Sequence, residues 1–564
     1  MRTISFRKAA LLALATICAA GFTACENNDN PGDDEKEYTL EGGIKVYSDI
    51  LFNNNELGNG DQEIILKGNQ TIKKGTYLMK GWIYVAEGSV LTIEPGTVIK
   101  GDKETKASLI IEPGAKIIAE GTASQPIVFT SNVPAGQRKP GDWGGLILCG
   151  KAKNNQNTQQ IEGGPRTKHG GNDDSDNSGV LKYVRVEFAG YPFEKDKEIN
   201  GVTLGSIGSG TTIDYVQVSY SNDDSFEWFG GTVNCKHLVA FNGWDDDFDT
   251  DNGFSGKVQY CLSVRDSRLA DTSQSNGFES DNCADGAEVD PYTTAVFSNV
   301  TFLGPKATDA NFVNDVDYIN GGAYFPNNGS ALGRFQSAMQ IRRSSRLSCI
   351  NSLAVGFPIG VIIDGEKGNT PAMAKEGKLK LQNVWLADMD ITGSDANKSY
   401  VDQLVTGYDE NKKPIYDETQ PSFSSTFFLS QVGNKVAALS ELALTGKSTM
   451  TGLNADFMPQ SGSPLMNAAS FDGVSGMETV SYVGAFGTEN WLEGWANFDP
   501  NNTAIQTRFP GDPLFAALAS QNYPRFADQL LEEREANLCV PFVYQALLRA
   551  NSPLSVLFTI KSLT

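Results

Sequence analysis

Apolar and polar residues alternate in short runs along most of this chain. "LTIEPGTVIKGD" (91–102) holds a β-branched run, a Pro-Gly turn and a second β-branched run, and "LIIEPGAKIIAEG" (109–121) repeats that plan 18 residues on. Alternation interrupted by Pro-Gly predicts strand, turn, strand. A second pattern then takes over: "KYVRVEF" (182–188), "DYVQVSY" (214–220), "KHLVAFN" (236–242) and "QYCLSVR" (259–265). "SNVTFLG" (298–304), "INSLAVG" (350–356) and "QNVWLAD" (382–388) continue it. From Asp214 to Lys236 the interval is 22 residues, and insertions stretch it elsewhere.

Internal periods of roughly 20–25 residues mark a solenoid. Helical repeats need a 3.6-residue period, and leucine-rich repeats need their Leu and Asn signature; neither is present. The prediction is an all-β parallel β-helix, in which each coil buries its apolar residues only against its neighbours. Roughly 14–17 coils would stack into a rod on the order of 70–80 Å long.

The two ends follow other patterns. Arg2, Arg7 and Lys8 precede the apolar run "AALLALATICAAG", which is too short to span a bilayer, and "FTAC" then ends in Cys25. That arrangement resembles a lipobox, which implies a signal peptide at 1–24 and a lipid anchor on Cys25. Residues 25–40 read as an acidic flexible tether and 41–75 as an N-terminal cap region, with the β-helix at 76–504. Residues 505–564 are rich in Leu and Ala. They read as a helical or poorly ordered extension, either a cap on the open end of the solenoid or an addition with no packed role.

"LTIEPGTVIKG", "IIAEGTASQPIVFTS" and "GDWGGLILCGKA" resemble the opening coils of bacterial surface lipoproteins built as a right-handed parallel β-helix, the pectate-lyase-like solenoid architecture. "VGAFGTENWLEGWANFDPNNT" (483–503) is similar to their terminal segment. The resemblance implies a fold and a place, the outer membrane with the body exposed at the cell surface. It implies no particular activity.

The net charge of −22 disfavours nucleic acid and anionic lipid as partners of the folded body. With His169 and His237 the only histidines, a His-based zinc site or a Ser-His-Asp triad is improbable. The cysteines form no CxxC pair and read either as a disulfide or as buried core residues.

The negative charge is concentrated. Asp223-Asp224-Ser225-Phe226-Glu227 recurs as Asp245-Asp246-Asp247-Phe248-Asp249, one 22-residue coil later. Equal positions should therefore stack. "SNGFESDN" (275–282) adds Phe278, Glu279 and Asp281 from a third coil. Phe226, Phe248 and Phe278 should form an inward aromatic stack. If 245–251 is extended, Asp245, Asp247, Asp249 and Asp251 share one face. Like charges that close need a counterion or a proton. Calcium, with six to eight oxygen ligands, is the expected cofactor, and a solvated acidic face is the alternative. "DFDTDNG" is not an EF-hand: its glycine is one place late and the twelfth position lacks Glu.

Three functions compete. The first is a non-catalytic surface lipoprotein that binds a glycan or an outer-membrane uptake receptor, with Trp228, Trp244 and Arg265 as candidate ligand-binding residues. The second is a polysaccharide lyase or hydrolase, with Arg265 or Lys257 as base; the fold alone does not argue it. The third is a plain stalk, against which long polar insertions such as 153–179 speak.

Overall fold

A computed structural model describes residues 36–53, 55–193, 198–445 and 458–503. The signal segment, Cys25, Cys539 and the 505–564 extension lie outside the described residues. The chain divides after Glu37, and the account below concerns the unit that starts at Tyr38.

That unit is a right-handed parallel β-helix with two continuous ladders, here called sheets A and B. Sheet A holds 13 strands, from Thr39–Glu41 to Ile391–Ser394. Its first pair is antiparallel, and the later pairs are parallel. Twelve parallel rungs make a stack roughly 50–55 Å tall, shorter than the sequence intervals suggested. The reason is insertion: Phe278–Ser280 pairs directly with Ser337–Ile341, so everything between them belongs to one coil.

The ladder's bounds also differ from the expected 76–504. Parallel pairing already begins at Lys45, opposite Ile64, because "IKVY" and "IIL" are short β-branched runs that fit a buried rung. It ends at Lys435–Ala437. Residues 458–503 add no rung and instead run back along the outside of sheet B. Ser470 receives a bond from Asn383, Glu478 from Gln259, Tyr482 from Asn299, and Asn497 from Gln217. Arg138, 3% exposed, then donates to the carbonyls of Pro500 and Thr503. This strap is poor in β-branched runs and rich in Gly, Asn and Trp, so it lies across the rungs rather than joining them.

The repeated motif has a structural reason. Its second residue sits at a left-handed backbone position in every coil: Tyr183, Tyr215, His237, Tyr260, Asn299, Asn351 and Asn383. In the first five motifs one strand bends there, and at Asn351 and Asn383 the strand breaks in two, which turns sheet B through a corner. Asn tolerates that conformation, whereas aromatic residues ordinarily do not. Here the rings stack on one another, Tyr183 on Tyr215 at 4.4 Å, Tyr215 on His237 at 4.1 Å and His237 on Tyr260 at 5.0 Å. Trp491 and Trp495 of the strap cover the column edge-on.

Inward columns form the main core. Phe226 and Phe248 stack at 5.8 Å, and Phe297 packs against both Phe248 and Phe278. The far end is closed by the helix Phe423–Ser430, whose Phe427 and Phe428 are buried; Ser422 caps its first turn. The described cysteines, Cys149, Cys235, Cys261, Cys283 and Cys349, are buried and unpaired. No described helix is long and apolar enough to cross a membrane.

Candidate metal centre

Sheet A carries one column of outward residues that changes character along the stack. In register it reads Val46, Ile65, Tyr84, Ile110, Ile147, Thr203, Glu227, Asp249, Glu279, Gln340, Ile362. The first five are apolar and pack with Ile161 and Ile199 from the insertions. The column then turns polar at Thr203 and acidic for three successive rungs.

The stretch before each acidic strand brings further carboxylates. Asp223 and Asp224 precede the strand Phe226–Gly231, and Asp245 and Asp246 precede Phe248–Asp251. A side-chain ladder holds these corners in register. Asp224 Oδ1 accepts from the Asp246 backbone N–H at 2.9 Å, and Asp246 Oδ1 from the Asn276 N–H at 2.5 Å. Asn276 Oδ1 accepts from the Ser337 N–H at 3.0 Å, so the ladder ends on a neutral rung. Each ladder aspartate thus gives one oxygen to the backbone of the next coil.

Three interlocking groups result: Asp223 with Asp224 and Asp245, Asp224 with Glu227 and Asp249, and Asp246 with Asp249 and Glu279. In each group the nearest carboxylate oxygens lie within 4.8 Å of one another. Burial and mutual repulsion push Asp223, Asp224, Glu227, Asp245, Asp246 and Asp249 well above the usual carboxylate range. Burial also raises Glu279 to about 7, against the attraction of Arg342 and with the repulsion of Asp281. Glu162 and Glu198 deepen the negative field from the insertions.

The donor set fits a hard divalent cation. Besides the carboxylates, two residues with neutral oxygens adjoin Glu227 of the middle group. Asn200, 1% exposed, donates from Nδ2 to Glu227 Oε2 while its Oδ1 has no partner. Thr203, also 1% exposed, neighbours Glu227 in the column, and its hydroxyl has no partner. Asp249 Oδ1 and Asp245 Oδ1 are unpartnered too. Buried oxygens without donors are costly in a folded protein. An ion that accepts six to eight oxygens removes that cost.

Several expected site residues lie elsewhere. Asp247 faces away from the column: Ser263 Oγ donates to it at 2.5 Å and Arg265 Nη1 at 2.8 Å, with both members of the ion pair fully buried. The alternation from Asp245 to Asp251 fails because the strand begins only at Phe248, so Asp245 and Asp247 sit in a bend. Asp247 titrates near 6, raised by burial and held down by Arg265 and Ser263. Arg265 is consequently closed to solvent. Trp228 is a core residue stacked on Phe254 at 5.3 Å, and Trp244 is buried with Nε1 donating to Asp271. Neither ring is open to a ligand. Asp251 accepts from the Asn252 N–H and titrates near 7, raised by burial and Asp281. Asp281 is held by Arg342 and Arg343, and neither Asp251 nor Asp281 joins a group. Lys257 lies in sheet B beside Gly476.

Asn200, Thr203 and Arg342 were not anticipated from sequence. Thr203 and Arg342 follow from strand register, in which Ser280 pairs with Ile341 and places Asp281 beside Arg342. Asn200 ends an insertion and has no repeat to mark it.

The chain is similar to one solved structure and to one family model. The crystal structure of pectate lyase Pel9A aligns with a TM-score of 0.35 at 12% identity, covering 72% of this chain and 89% of that one. A family model described as pectate-lyase like beta helix domain matches residues 63–420, well over half of the chain. The chain therefore belongs to the pectate-lyase-like β-helix domain family.

Proposed function

We propose that the protein binds an acidic polysaccharide through calcium held on the acidic column of sheet A, and that a lipid on Cys25 presents it at the outer face of the outer membrane. The observation that carries the binding reading is the set of stacked carboxylate groups flanked by unpartnered, buried neutral oxygens. An anionic polymer and a protein of net charge −22 repel one another unless a cation bridges them. Carboxylates of a uronic acid polymer supply the ligands that the protein leaves open. Membership of a pectate-lyase-like family supports that substrate class.

A second reading is a polysaccharide lyase, and the same family membership favours it. Such an enzyme needs a base beside the proton α to the uronate carboxylate. Arg265 is closed off in its ion pair. Among the described residues, Arg342 alone forms an ion pair with a member of the three carboxylate groups. Arg342 is bound by two carboxylates, which suits anchoring better than proton abstraction.

The test is retention of the purified protein on polygalacturonate and on a neutral glucan, with calcium and with chelator, while new unsaturated chain ends are followed. Calcium-dependent retention on the acidic polymer without new ends supports binding. New ends that disappear with Arg342→Lys favour the lyase. Retention that ignores chelator sinks the calcium bridge.

A further inference from the structure

The two ends of the stack are finished differently. At the near end the inward residues of the first rungs, Tyr47 and Leu57, are 5% and 1% exposed. At the far end the last strand of sheet A, Ile391–Ser394, lies under the helix Phe423–Ser430, which sits so close that a Cβ on Gly393 would meet the backbone of Ser424 and Ser425. The last strand of sheet B, Lys435–Ala437, has no such cover. It pairs with Trp385–Ala387 on one edge and, among the described residues, with no strand on the other.

Val436 marks that bare edge. In register it follows Phe302, Ala354 and Leu386, all buried members of the main core, so it is the next residue of an inward column. It is nevertheless 55% exposed, because no described coil lies beyond it. Leu429 at the end of the helix and Val432 in the turn after it are 60% and 75% exposed. The backbone is equally unfinished. The Lys435 N–H donates to the Val384 carbonyl of the preceding coil. Successive residues of a strand point their amide groups to opposite edges, so the N–H and C=O of Val436 face away from the stack. Apolar side chains beside an unpaired strand edge make a template for another strand.

Two properties of this edge fit a second copy of the same chain. The first is self-complementarity. An antiparallel pair about a two-fold axis at Val436 sets Val436 opposite itself, where the two residues exchange both N–H···O=C bonds. It sets Lys435 opposite Ala437, so no like charges meet. The second is charge. Residues 427–437 carry a single charged side chain, Lys435, which lies over the ring of Trp385 at 4.0 Å. The stacked carboxylate groups end at Glu279, three rungs of sheet A before the last strand. In a tail-to-tail pair the groups of the two copies stand roughly 30 Å apart, against a screening length of about 8 Å at physiological salt. The net charge of −22 therefore opposes this contact far less than one through sheet A.

We propose that two copies of the chain dock tail to tail, joining their Lys435–Ala437 strands in antiparallel register and covering Val436, Val432 and Leu429. The first strand, Thr39–Glu41, lies at the opposite end of the ladder, so the pair carries its N-terminal ends outward. With the lipid on Cys25 proposed above, such a pair joins two facing membranes; the docking itself depends neither on that lipid nor on calcium.

Sedimentation equilibrium of the full-length protein, from about 5 to about 500 µM, tests this. The expected result is a monomer–dimer equilibrium with Kd weaker than about 1 µM, since the contact is small, and no larger species, since a two-fold contact is closed. Val436→Lys sets two charges face to face on the axis and should weaken the dimer at least about tenfold. Its melting temperature should match that of the wild type, because the side chain it replaces is already largely in solvent. Val436→Cys gives a positive reading. Its paired Cα atoms stand about 5.5 Å apart, within disulfide reach, so an added mild oxidant should link two copies through this position and leave the wild type unlinked. A wild type that stays monomeric at about 500 µM overturns the proposal, and dimerisation after truncation at Thr503 would then assign the edge to the chain's own later residues. A dimer that Val436→Lys leaves intact, that Val436→Cys does not cross-link, or that grows into open chains overturns the tail-to-tail contact.

Discussion

Two stretches of the same column invite comparison. From Val46 to Ile147 the outward residues of sheet A are apolar and lie under insertions. From Glu227 to Glu279 the same backbone, at the same rung spacing, presents carboxylates. Nothing in the strand geometry distinguishes the two. The first stretch ties the insertions down as a second small core, and the second holds negative charge whose repulsion the fold must bear. The scaffold is indifferent to what its outward column carries, so chemistry here resides in the column and in the insertions beside it.

Exchanging the characters of the two stretches breaks the comparison most severely. Ile147→Asp puts an unpaired charge among Tyr84, Ile110 and Ile199, and should cost more than about 4 kcal/mol in chemical denaturation. A cost under about 1 kcal/mol would mean that this stretch is not a core at all. Asp247→Ala comes next. It strands Arg265 in the interior and should cost about 3–5 kcal/mol while leaving the calcium response intact, because Asp247 lies outside the carboxylate groups. Loss of that response would return Asp247 to the metal centre.

Calcium itself should stabilise the protein by about 2.7 kcal/mol at a hundredfold excess over Kd, read as a rise in melting temperature. Glu227→Gln with Asp249→Asn should abolish the rise. The cation-free protein sharpens the contrast through pH. The column's carboxylates have folded pKa values above their unfolded ones, so between about pH 4 and each folded value the folded state binds more protons than the unfolded state. Stability contributed by these groups is therefore greatest at low pH and is lost as pH rises, with Glu279 and Asp251 completing their loss near pH 7. In chelator the melting temperature should fall as pH rises from about 5 to about 7, where Glu279 and Asp251 titrate, and saturating calcium should flatten or reverse the slope. An identical slope with and without calcium would disconnect the column from the ion. The smallest effect belongs to Asn200→Ala, which removes one neutral oxygen and should weaken calcium binding about three- to tenfold without unfolding the protein.

Most of the architecture was legible because a solenoid writes its register into its period. The 22-residue interval placed Phe226 beside Phe248 and Glu227 beside Asp249, as the ladder has them. What period cannot say is where a strand starts. Asp247 was misread because alternation was extended back past Phe248 into a bend. Trp228, Trp244 and Arg265 were misread because composition does not tell an inward ring or a paired guanidinium from an exposed one. Insertions erase the interval altogether, which is why Arg342 and Asn200 went unnoticed although both touch the acidic column.

The returning strap changes how such a stack comes apart. A bare solenoid behaves as a one-dimensional array in which each coil is secured only by its neighbours, so it frays from the ends and melts piecemeal. Here a single segment is hydrogen-bonded to rungs at Asn383, Gln259, Gln217 and Arg138. Peeling one coil must also loosen a tie shared with distant ones. The result is a zipper with a seam stitched along its length, which turns gradual fraying into a single cooperative transition and keeps the central coils closed even when the ends are pulled.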